Sequence, residues 1–118
     1  TSFEKEFKKL CKKYQSLEMD FEVLCLTLEA DPRGDALPQW HIERIAWVGQ
    51  ELSGCEFYKV RRFVCKSISR NSANSGLRIV YRYTESSEIV FESIEFIEMY
   101  HKNDKENHDV ERLKKYLK

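Results

Sequence analysis

No acidic residue falls between Glu56 and Glu85, although the rest of the chain is acid-rich. The same stretch holds Lys59, Arg61, Arg62, Lys66, Arg70, Arg78 and Arg82. The gap excludes neutralisation of these cations from within their own segment and leaves only carboxylates elsewhere in the chain as internal partners. The formal net charge is zero over 118 residues, so the asymmetry is local and the overall balance hides it. A basic block of this kind reads as a surface for a polyanion. Also lacking is any CxxC spacing or Cys/His cluster among Cys11, Cys25, Cys55 and Cys65. That counts against zinc and against a disulfide framework, and favours reduced, partly buried thiols in a cytosolic protein. No apolar run approaches the roughly 20 residues a membrane-spanning helix needs, and no secretory signal is recognisable. The expectation is a cytoplasmic protein with no membrane partner. There is no internal repeat and no low-complexity segment. What remains is 34% charged and 42% hydrophobic residues, an ordinary globular balance that fits one domain over 1–118 with a modest core.

Hydrophobic spacing places the elements. Phe3, Phe7, Leu10, Tyr14 and Leu17 recur every three or four residues, with Lys5, Lys8, Lys9, Lys12 and Lys13 off that line. This predicts a helix over 2–15. A second helix follows over 17–30, with Phe21, Leu24, Cys25 and Leu28 on one face, and Pro32 stops it. Residues 37–54, containing Trp40 and Trp47, fit neither period. Abundant Val, Phe, Tyr and Ile without Pro or Gly predict a strand over 57–68. A polar loop over 69–76 closes a hairpin onto a strand over 77–84, where Leu77, Ile79, Tyr81 and Tyr83 share one face and Arg78, Val80 and Arg82 the other. A turn over 85–88 leads to a third strand over 89–100. Asp109 is placed to cap a last short helix holding Val110, Leu113 and Leu117. The order predicts an α+β fold: two N-terminal helices packed on one face of an antiparallel meander, a short C-terminal helix, and the other sheet face free for a ligand.

Lys59 and Arg61 stand two apart on one strand, so both side chains leave by the same face. Arg78 and Arg82 share a face of the next strand. If those faces coincide, four cations converge, as phosphate binding requires, since arginine offers two parallel donors to two phosphate oxygens. Two of the three histidines, His101 and His108, fall in the tail segment that begins at Tyr100. Cleavage of RNA by its own 2′-hydroxyl needs a base, a cation over the phosphorus and an acid for the leaving oxygen, and Lys, Arg, His and Tyr supply all three without metal or cofactor. The alternative for the histidines is a surface or helix-capping role. His41 receives no role.

The runs Phe-Tyr-Lys-Val-Arg (57–61), Ser-Gly-Leu-Arg-Ile-Val-Tyr (75–81) and Ile-Glu-Met-Tyr-His-Lys-Asn-Asp-Lys-Glu-Asn (97–107), with the opening Ser-Phe-Glu-Lys-Glu-Phe-Lys-Lys-Leu, resemble the RelE/ParE superfamily of bacterial toxins. The Lys105-Glu106-Asn107 tail is most similar to its RelE/HigB-like branch. The likeness spans most of the chain and is thinnest over 31–56. It implies the toxin of a type II toxin–antitoxin pair. RelE-like members cleave mRNA on the ribosome and are silenced by a cognate antitoxin in a hetero-oligomer. By position, the resemblance implies Arg78 as binder of the phosphate in the transition state, Lys59 and Arg61 as contacts to phosphate or 2′-hydroxyl, and His108 in proton transfer. Arg62, Lys66, Arg82, Tyr100, His101 and Lys102 complete the implied RNA-binding surface. The chain departs from the family pattern in its neutral charge and in the longer insertion holding Trp40 and Trp47. Two alternatives share the scaffold: a ParE-like gyrase inhibitor that cuts nothing, and a catalytically inactive binding module.

Overall fold

The computed structural model describes residues 1–36, 38–45, 55–68, 75–86 and 91–115. The expected positions of Trp47, Arg70 and Leu117 lie outside these residues, as does most of the 69–76 loop. Helix α1 (Ser2–Lys13) starts at a capping box: the Thr1 hydroxyl accepts the Glu4 amide, and the Glu4 carboxylate receives the Thr1 amine. Helix α2 (Leu17–Ala30) follows after a tight turn and ends before Pro32. Four antiparallel strands come next: β1 (Ile42–Arg44), β2 (Cys55–Val60), β3 (Leu77–Ser86) and β4 (Phe91–His101), in spatial order β1-β2-β3-β4. The chain closes with α3 (Val110–Lys114), whose start is capped by the Asp109 carboxylate accepting the Arg112 amide. The expected α+β order therefore holds, with differences in detail.

Two cores sandwich the sheet. Leu17, Leu24 and Leu28 of α2 and Phe3 of α1 pack on Tyr58, Val60, Leu77, Ile79, Tyr81, Tyr83 and Met99. Phe3, Phe7, Phe21 and Phe96 pack ring against ring within this layer, Phe3 stacked on Phe7 and Phe96, and Phe21 edge-on to Phe96. On the opposite face Phe57, Val80, Ile97, Tyr100 and Leu113 form a second, smaller core. Leu113 of α3 packs into this core, so that face is partly covered rather than wholly free. Alternation on β3 is as expected, but β4 carries a bulge: Val80 pairs with Glu98 and Tyr81 with Phe96, leaving Ile97 without an opposite residue. Ile97 and Glu98 are both buried, Ile97 within the second core.

The strand expected over 57–68 stops at Val60. Phe63 and Cys65 are fully buried without strand pairing, because the chain turns up onto the helix layer. There the Asp20 carboxylate accepts the Lys66 amide at 3.0 Å, and Ser16 and Ser67 exchange hydrogen bonds. Burial on the helix side, not a ladder, accounts for the apolar pattern of this segment. The first helix ends at Lys13 because Tyr14 takes an extended conformation. Within the illegible region, β1 lies on the sheet edge, pairing Glu43 with Lys59. At the other edge the Glu6 carboxylate of α1 accepts the Met99 amide and receives both Arg112 guanidinium nitrogens at 2.7 and 3.0 Å. This clasp joins α1 to α3 around β4. Among the described residues no helix is long and apolar enough to cross a membrane.

Candidate functional site

Strand pairing lays side chains in rows across the second face. Lys59, Val80 and Glu98 form one row, and Arg78 and Tyr100 the next. Arg61 follows Lys59 by two residues and continues that second row. Arg78 is fixed there by donating from Nη1 to the Arg61 carbonyl oxygen at 2.7 Å. Arg61 is exposed and pairs with Glu43 of β1 at 2.9 Å. His108 reaches the same face from the loop between β4 and α3.

Lys59 is the least expected member. It is 9% exposed, and among the described residues its ammonium has no ion pair and no hydrogen bond. Burial lowers its pKa, and the neighbouring charges of Arg61 and Arg78 lower it further against partial relief from Glu43 and Glu98. A lysine half withdrawn from water beside two arginines, and only partly offset by Glu43 and Glu98, is a site of positive potential. His108 is half buried, and its Nδ1 is fully buried without a hydrogen-bond partner among the described residues. Burial and then the Lys59 charge hold its pKa below the ordinary imidazole value, with Glu98 opposing. The ring is therefore neutral at pH 7 and able to accept a proton. Tyr100 is 6% exposed; burial and Glu98 raise its phenol, while Arg78 and Arg61 oppose.

The structure thus brings Lys59, Arg61, Arg78, Tyr100 and His108 to one face. The other expected RNA contacts are placed differently. Arg82 lies on this face but is held by Glu95 at 2.5 Å. Arg62 is exposed where the chain leaves β2, its amide bonded to the Trp40 carbonyl. Lys102 is exposed in the turn after β4. Lys66 is separated from the cluster, because its segment is captured by Asp20 on the helix layer. His101 is occupied structurally: Nδ1 accepts the Asn103 amide at 3.1 Å, so Nε2 donates to the Ser75 carbonyl at 3.0 Å. Sequence reasoning missed Glu98 and Lys105. Glu98 is 1% exposed, pairs with Lys105, and accepts the Asp109 amide at 2.9 Å. An acid inside the apolar run Phe96-Ile97-Glu98-Met99-Tyr100 was the available signal.

No family model, curated protein or solved structure matches this chain. The chemistry of the face therefore carries the argument. Among the described residues no group of three His, Cys, Asp or Glu side chains is arranged to hold a metal ion. Beside the Arg82–Glu95 pair, the face offers Lys59, Arg61, Arg78, a neutral imidazole, a buried phenol and the Glu98 carboxylate. Away from it, an apolar cavity of about 270 Å³ lies between α2 and the far end of the sheet, lined by Leu28, Pro32, Tyr83, Ile94 and Phe96. It holds none of the cations.

Proposed function

We propose that this chain is a metal-independent endoribonuclease of RelE/HigB-like type, the cytoplasmic toxin of a type II toxin–antitoxin pair acting on ribosome-bound mRNA. The observation that carries this reading is Lys59, 9% exposed and without an ion pair among the described residues, lying beside Arg61 and Arg78 and within electrostatic reach of a neutral His108. Sequence resemblance and the α+β layering support it.

In this reading a scissile phosphate sits over the Arg78–Lys59 rows. His108 takes the 2′-hydroxyl proton, and the freed oxygen attacks phosphorus. The P–O5′ bond breaks, leaving a 2′,3′-cyclic phosphate and a 5′-hydroxyl. Arg78 and Arg61 hold the non-bridging oxygens as negative charge builds. Lys59, with its lowered pKa, delivers a proton to the leaving oxygen more readily than an ordinary lysine. No cofactor takes part. The partner is a cognate antitoxin.

The test is induction of the wild type and Arg78→Ala in a bacterial host, with transcript ends mapped and growth followed. The wild type is expected to stop growth and leave cut transcripts. Arg78→Ala loses about 10²–10³ in cleavage, as for removal of one oxyanion donor, while circular dichroism stays native. Full toxicity of Arg78→Ala refutes the mechanism. A second reading, the ParE-like gyrase inhibitor or an inactive binding module, draws on the exposed apolar stripe Met19, Val23 and Leu26 of α2. Intact transcripts with DNA damage, or with no arrest, favour it.

A further inference from the structure

Nothing in the family resemblance assigns a role to Glu98, yet it is the most completely buried carboxylate among the described residues, at 1% exposure. A buried carboxylate is costly unless its oxygens are matched by donors. Here both are matched, and both donors come from the corner that carries the imidazole. Oε2 receives the Lys105 ammonium and Oε1 the Asp109 amide at 2.9 Å. The two donors bracket His108 in sequence. The β4 bulge contributes by taking Ile97 out of the pairing, so that Glu98 and Tyr100 still alternate onto the ligand face. Lys105 also lies over the Tyr100 ring, 5.5 Å from its centroid, and that contact seats the corner on the sheet. The Asp109 amide bound by Glu98 belongs to the residue that caps α3, so one carboxylate organises both the corner and the helix start.

We infer that Glu98 is a positioning residue: its single buried carboxylate clamps the segment from Lys105 to Asp109 onto the sheet and so delivers His108 to the side of Lys59, an assignment whose catalytic meaning rests on the ribonuclease reading above. The charges facing His108 are Lys59 from β2, Glu98 from β4, and Lys105 and Asp109 from its own segment. Glu98 is therefore the acid contributed by the sheet to a ring otherwise faced by two lysines and by the neighbouring Asp109.

The experiment uses Glu98→Gln, which keeps an oxygen for the Asp109 amide and removes the charge. The His108 ring protons are titrated by NMR in the wild-type and variant chains, and cleavage of a short single-stranded RNA is followed against pH. The His108 titration is expected to move to lower pH in Glu98→Gln and the Asp109 amide resonance to shift, because a neutral carbonyl is a weaker acceptor than a carboxylate. Cleavage falls about 10–100-fold, by analogy with the loss of groups that orient metal-bound histidines. Glu98→Asp, which restores charge but is one methylene short, recovers the His108 titration only in part. If Glu98→Gln does not fold, Lys105→Gln cuts the other arm of the clamp from a partly exposed position, and displacement of the His108 resonances decides the question. His108 signals that superimpose on the wild type overturn the inference, whatever the cleavage result. Displaced His108 signals in a chain whose wild type cuts no RNA support the clamp and refute the nuclease reading, so the two failures are separable.

Discussion

Replacing Lys59 with Met keeps the side chain's length and most of its volume and removes only the ammonium charge. In an ordinary core such an exchange is near neutral. Here the surroundings give it a sign. Arg78 stands diagonally across from Lys59, and diagonal neighbours on a sheet face lie about 7–8 Å apart. Two like charges at about 7 Å repel by roughly 2.4 kcal/mol at an effective dielectric of about 20. Arg78 is partly exposed, so solvent and salt remove about half of this. Arg61 repels Lys59 as well, but its partner Glu43 attracts Lys59 and offsets it. Glu98 attracts Lys59 but already serves Lys105. Lys59→Met should therefore stabilise the fold by about 1 kcal/mol, which is roughly 4 °C in melting temperature for a chain of this size. Urea unfolding at physiological ionic strength reads the gain as an upward shift in midpoint of about 0.5–1 M. Inorganic phosphate should stabilise the wild type more than the variant, since it binds only where the cations converge. RNA cleavage should drop by about 10². A variant that unfolds at lower urea than the wild type refutes the reasoning, because it means the ammonium is satisfied and the face is not poised for an anion.

His108 gives a pH signature. Its folded pKa lies below the ordinary 6.5, so between the two values the unfolded chain binds more protons. Stability should be full above about pH 6.5 and fall as pH drops through that window. Urea melts between about pH 5 and 8 check this against His108→Gln, which should lose that part of the slope. Cleavage that depends on neutral His108 should rise with pH with its half-maximum below about pH 6.5, and a half-maximum above pH 7 would refute the base assignment. Gly76 has φ +82°, and a Cβ there would lie 2.7 Å from His101 Nε2. Gly76→Ala should cost about 2 kcal/mol or more from left-handed backbone strain and displacement of the ring, seen as a fall of about 8 °C or more in melting temperature.

Much of the fold was legible because local rules decided it. The spacing of Phe3, Phe7 and Leu10 and the stop at Pro32 mark the two helices without reference to anything distant. The alternation of Leu77, Ile79 and Tyr81 marks β3 because one side of that strand meets the helices along its whole length. Reading failed where tertiary packing overrode pattern. Phe63 and Cys65 look like strand residues, but their burial is against the helix layer. Ile42–Arg44 has no pattern to read, since an edge strand of three residues exists only through pairing with β2. At the site, the acid-free block pointed to Lys59, Arg61 and Arg78 because absence of carboxylates is a one-dimensional fact. Lys66 and His101 carry the same chemistry in sequence but are claimed by Asp20, Ser75 and Asn103 in space. Glu98 escaped notice because its partners are a lysine and a backbone amide gathered by a corner, and no spacing rule announces such a gathering.

The Glu6–Arg112 clasp ties the opening helix to a closing helix too short to stand alone, across a separation of 106 positions. The imidazole's stretch is thereby moored at both ends, by Glu98 beneath it and by α1 beyond it. Fraying of the first turns should therefore slacken the last ones, so that the beginning and end of the described chain loosen together and His108 loosens with them.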